Sequence, residues 1–332
     1  MASKAKDIIE IGEGWECALR TEEEIPAIHC FYQSQLVSKL PISIIVQCTP
    51  FNHTIQQEAK TSPTEPFSII KVPEPKSIIR AATVINGLIR KSTQQTNAYI
   101  ISTQSNACSL VISVGGNSRH VYENNMVATA EASQNMASTG ASPVAFFKLP
   151  LYSEQCHQPT LGLVGLLPKE APRTTLSFSQ KGDMIYLLGR SVEDIASSEY
   201  LYSFHHIHPS PAPWMNPQEQ SRLHSMLSEA INKNLITSIN SVSKGGMFIS
   251  LVESSLHNQL GFDITTDAEI REDAFLFGES LGRFIVSTSE KTDAAFVDLM
   301  IQNNIPVTTL GHTTKGEIRI DDISYGFIQD YE

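Results

Sequence analysis

Between Asn216 and Leu310 the chain alternates helix-period and strand-period apolar patterns, and this alternation limits the possible folds more than any other feature. Asn216-Pro217-Gln218-Glu219 marks a helix start. Asn216 can cap, Pro217 suits the first helical position, and Glu219 can reach back to the cap. Leu223, Met226, Leu227, Ala230 and Ile231 then form an apolar stripe. A second helix is predicted from Gly246 to Leu260, stopped by Gly261. Arg283–Ser287 reads as a strand, Asp293–Gln302 as a third helix and Val307–Leu310 as a short closing strand. Helices and strands in turn predict an α/β or α+β domain.

Upstream, Lys76–Lys91 reads as a helix with Ile78, Ala82, Ile85 and Ile89 on one face. Tyr99–Thr103 and Ser109–Val114 read as strands joined by Gln104-Ser105-Asn106. Met126–Thr139 is an alanine-rich helix with Gly140 as its stop. Val144–Phe147, Leu161–Leu167, Thr175–Phe178 and Met184–Leu188 are strand-like, with Lys181-Gly182-Asp183 as the hairpin turn before the last. The first 75 or so residues differ. Ala27–Val37 and Ile42–Gln47 have strand character, and a polar, proline-bearing stretch from Asn52 to Pro75 reads as a linker or an arm over another domain.

Composition narrows the function. With 41% hydrophobic and 18% charged residues, the chain can bury a core. A net charge of −11 with no basic run argues against nucleic acid, and no apolar run is long enough for a bilayer. The N-terminus lacks the apolar stretch of a signal peptide. Five widely spaced cysteines without a CxxC pair fit reduced thiols in a cytoplasm. Cys156 and His157 are adjacent, and neighbouring side chains point apart, so a buried or loop thiol is favoured over a nucleophile.

Several residues carry possible chemistry. Glu131 and Asn135 lie four apart on a helix, so both project from one face. A carboxylate and an amide oxygen suit Mg²⁺ carried by a nucleotide, and the alternative is an exposed polar pair. Gly245-Gly246 opening a helix lets backbone approach an anion, although a tight strand-to-helix turn needs the same glycines. Lys244 is a phosphate contact or a solvated lysine. Glu279 and Arg283 suit a structural ion pair. In His205-His206-Ile207-His208, His206 and His208 share a face if the segment is extended. A metal site there competes with an irregular surface connection before Pro209.

Taken in order, four stretches resemble the second half of the formylglycinamidine ribonucleotide (FGAM) synthase family, within the aminoimidazole ribonucleotide (AIR) synthetase superfamily. They are Ser113-Val114-Gly115-Gly116-Asn117-Ser118-Arg119-His120; Ala130-Glu131-Ala132-Ser133-Gln134-Asn135 with Thr139-Gly140-Ala141-Ser142-Pro143; Leu151-Tyr152-Ser153-Glu154 with Gln158-Pro159-Thr160-Leu161-Gly162; and Ser243-Lys244-Gly245-Gly246 with Leu276-Phe277-Gly278-Glu279-Ser280-Leu281-Gly282-Arg283. Ser198-Glu199-Tyr200-Leu201 fits a further element. The resemblance runs from about residue 76 to about 325.

It implies a two-domain unit: an arm over 1–75 from the end of a preceding domain, a shortened β-sheet domain over 76–150, and a larger α/β domain over 151–326. It implies an ATP-dependent amidation of formylglycinamide ribonucleotide in purine biosynthesis, performed with a complementary half. That half carries the catalytic nucleotide, and a separate glutaminase supplies ammonia. A homodimer is the other way to cover the shared sheet surface. The resemblance also implies an ancestral Mg-ATP or Mg-ADP pocket near Asn97, Glu131, Asn135, Ser241, Lys244, Gly245 and Gly246, with Glu131 and Asn135 on the metal. The family places aspartates where Asn97, Gly115, Ser241 and Lys244 stand, so that pocket is expected to be weakened. Several dozen cleft-lining residues of the family are missing between Pro150 and Leu151. A noncatalytic scaffold that kept the fold is the rival expectation.

Overall fold

The computed structural model describes residues 8–12, 15–22, 25–32, 35–41, 47–50, 75–92, 98–101, 108–115, 124–150, 159–207 and 213–332. The strands are β1 (Ile8–Gly12), β2 (Trp15–Glu22), β3 (Ile25–Tyr32), β4 (Gln35–Pro41), β5 (Gln47–Pro50), β6 (Ala98–Ile101), β7 (Cys108–Gly115), β8 (Ser142–Pro150), β9 (Pro159–Pro168), β10 (Met184–Leu188), β11 (Ser238–Ser241), β12 (Gly261–Ile264), β13 (Phe284–Thr288), β14 (Val307–Thr314), β15 (Glu317–Ile320) and β16 (Ile323–Phe327). The helices are α1 (Ile78–Ser92), α2 (Asn124–Ala137), α3 (Pro217–Asn232), α4 (Gly246–Leu256), α5 (Glu272–Phe277) and α6 (Asp293–Gln302). A π-helical turn covers Tyr200–Phe204.

The chain divides into two compact units, one of residues 1–60 and 96–171, the other of residues 61–95 and 172–332. These limits differ from boundaries at 75 and 150. The buried face of α1, Ala81, Ala82 and Ile85, belongs to the core of the second unit, while β9 pairs with β7 and β8 in the first.

In the first unit β1–β4 form an antiparallel meander. A second sheet runs β5-β8-β9-β7-β6, antiparallel throughout. Helix α2 covers one face of it, and Val111, Leu163 and Leu167 meet Ala132, Met136 and Ala141 there. Strand periodicity explains the choice, because alternate residues of β7 and β9 reach the helix. The polar stretch 52–74, the turn at 104–106 and most of Ile42–Gln47 lie outside the described residues.

The second unit is built on a seven-stranded sheet, β11-β13-β10-β14-β12-β15-β16, in which only β12 and β15 run parallel. Ile185, Leu187 and Ile285 point to one face and share a core with α1, α4 and α5. On the other face Tyr186 meets Phe296 of α6 at 5.4 Å, and His224 of α3 meets Phe284 at 5.7 Å between ring centroids. Helices therefore cover both faces, so the central strands are apolar on both sides.

Three local expectations are corrected. Thr175–Phe178 is not a strand, and Gly182 does not close a hairpin with it; β10 pairs instead with β13 and β14. The helix from Gly246 stops at Leu256, which frees Gly261 to begin β12. The last strand is longer than Val307–Leu310, and β15 and β16 follow it. Residues 205–207 follow the π-turn as an irregular connection, with His206 at φ 59°, in line with the irregular connection weighed against a metal site.

Candidate functional site

Two places gather the residues singled out by sequence, one in each unit. In the first, β7 runs under α2 and ends at Gly115. A Cβ on Gly115 would collide with the Ala128 carbonyl oxygen and lie 2.5 Å from the Ala132 nitrogen and 2.9 Å from the Glu131 Cβ. Backbone of the helix thus sits where the family's aspartate would need room. Two hydrogen bonds hold the helix down: Ser113 Oγ donates to the Ala132 carbonyl at 2.8 Å, and Asn135 Nδ2 to the Val114 carbonyl at 3.1 Å.

Asn135 is 8% exposed and Glu131 is half-buried, one turn away. Asn97 lies outside the described residues. Among the described residues no group of three His, Cys, Asp or Glu side chains is arranged to hold a metal. Mg²⁺ sheds water reluctantly and takes several hard oxygens in octahedral array, and the described residues here offer the Glu131 carboxylate and the Asn135 amide, whose Nδ2 is tied to β7.

The second place is the start of α4. Ser241 ends β11, buried, and its carbonyl accepts from Ser250 Oγ at 3.3 Å. Gly245 and Gly246 follow with φ 86° and 75°, left-handed values open to glycine. At Gly246 the requirement is also steric. A Cβ there would lie 2.6 Å from the Leu276 carbonyl oxygen and 2.7 Å from Phe277 Cα, so α5 packs directly on this turn.

The free N–H groups of a helix start attract anions, and here the anion is the protein's own. Glu279 Oε1 accepts from the Gly245 N–H at 2.7 Å and from the Glu199 N–H at 2.7 Å. Glu279 itself is 8% exposed. Arg283, 1% exposed, lies beyond it and donates to the Gly278 carbonyl at 2.7 Å and the Ser280 carbonyl at 3.3 Å. Burial pulls this guanidinium down to about 10, opposed by the charges of Asp194 and Glu279. Asp194 is raised by burial, although it accepts from the Trp214 and Ala196 N–H groups, both at 2.8 Å.

Lys244 is not simply solvated: Nζ sits 3.2 Å from Glu199 Oε1. Asn240, where the family has histidine, donates to the Ser250 carbonyl at 2.9 Å and to Glu253 Oε2 at 3.4 Å. Burial raises the Glu253 carboxyl.

The resemblance implied one pocket for all of these residues; Glu131 and Asn135 lie in the first unit, and Ser241, Lys244, Gly245 and Gly246 in the second. It missed that Glu279 fills the helix start and that Asp194 stands behind Arg283. The signal available was Glu279 itself, a carboxylate four residues before a buried arginine. His205 turns edge-on to Tyr200 at 4.6 Å, and burial pulls its pKa down. Tyr200 in turn donates to Asp273 Oδ2 at 2.5 Å. His208, Cys156 and His157 lie outside the described residues. No helix among the described residues is long and apolar enough to cross a membrane.

Residues 180–322 match the family AIR synthase related protein, C-terminal domain. Subunit PurL of phosphoribosylformylglycinamidine synthase from Moorella thermoacetica is 24% identical over 65% of this chain and 36% of its own length. The Petrotoga mobilis subunit is 30% identical over 62% and 28%. The Carboxydothermus hydrogenoformans subunit is 24% identical over 95% and 52%, so the chain spans about half or less of these relatives. Among solved structures, T. maritima PurL complexed with FGAR superposes with a TM-score of 0.59 at 12% identity, over 78% of this chain and 54% of that one. T. maritima PurL complexed with ADP gives 0.55 at 13% identity over 74% and 48%, and PurLQS from Thermotoga maritima gives 0.54 at 14% over 74% and 49%. At these identities the superpositions establish the fold.

Proposed function

We propose that the chain, which is similar to PurL subunits and matches an AIR synthase related C-terminal domain over residues 180–322, works as one half of an FGAM synthase-like ligase. In this reading it takes part in the ATP-dependent amidation of formylglycinamide ribonucleotide in the cytoplasm only with a complementary half that brings the catalytic nucleotide. A separate glutaminase subunit supplies ammonia. The observation that supports the reading is the match of residues 180–322 to the AIR synthase related protein C-terminal domain. The five-stranded sheet ends in β5 and β6, edges that a partner half can pair with or cover.

When bound, a Mg-nucleotide supplies the phosphoryl group that activates the formyl amide oxygen for ammonia. This chain's own residues do something else. Gly115 lets α2 close on β7, and Glu279 accepts the Gly245 N–H just before α4. These two contacts also favour a second reading, a scaffold that binds its partner half without turnover.

Assay of ADP release with formylglycinamide ribonucleotide, Mg-ATP and ammonium separates the readings. The chain alone gives background, and adding a co-expressed PurL first half gives turnover. A stable complex without turnover selects the scaffold. Turnover by the chain alone overturns both.

A further inference from the structure

We draw no further inference here: the strongest candidate, the small cavity between the Gly189-Arg190 turn, Trp214 and the start of α3, carries nothing because Asn216 already caps that helix start and no group among the described residues points to a ligand for it.

Discussion

Gly246→Ala sets a methyl group against the α5 backbone and forces a left-handed φ on an L-residue. Both effects act together, so the substitution should cost about 2–4 kcal/mol. Urea unfolding of the full chain measures it, and a change under a few tenths of that would remove α5 as the reason for the glycine. His224 sets a second residue-level expectation. Its ring stands edge-on to Phe284, Nε2 has no hydrogen-bond partner, and burial lowers its pKa from 6.5 to about 4. The unfolded chain then takes up a proton before the folded one does. Stability is full above pH 6.5 and falls as pH drops from 6.5 towards 4, by up to about 3 kcal/mol. His224→Gln should flatten the difference between denaturant midpoints at pH 7 and pH 5. An unchanged difference would assign that acid sensitivity to other groups.

Helix α3 shows what local sequence specifies at the scale of an element. Asn216 Oδ1 accepts from the Gln218 N–H at 3.1 Å and the Glu219 N–H at 3.3 Å, and Glu219 returns to Asn216 Nδ2 at 3.0 Å. Asn216→Ala should therefore cost about 1 kcal/mol by thermal unfolding, and Asn216→Asp only a few tenths. Equal stability of all three would deny the cap. This helix, α6 and β10 were legible in sequence because cap, periodicity and length agreed. The strands β11, β12, β15 and β16 were not. Each is short, and what makes Ser238–Ser241 a strand is pairing with Phe284–Ser287, a contact no local pattern announces. At the site the same limit applied. The Gly245-Gly246 turn was readable, but its occupant, Glu279, arrives from 34 residues away in sequence. Before the histidine segment, Tyr200 packs on Phe277 at 5.2 Å and bonds to Asp273 within a π-turn over residues 200–204 that no local pattern announced.

For the whole molecule the account joins kinship and closure. Residues 180–322 match the AIR synthase related protein C-terminal domain and the fold superposes on PurL, while α2 packs closely on Gly115 in one unit and Glu279 accepts the Gly245 N–H in the other. A complementary half should therefore carry the nucleotide, and this half should be indifferent to it. Isothermal titration of Mg-ADP into the full chain tests this most directly. The account predicts no binding heat at millimolar nucleotide and no effect of Glu131→Ala. Stoichiometric micromolar binding that Glu131→Ala abolishes would contradict it.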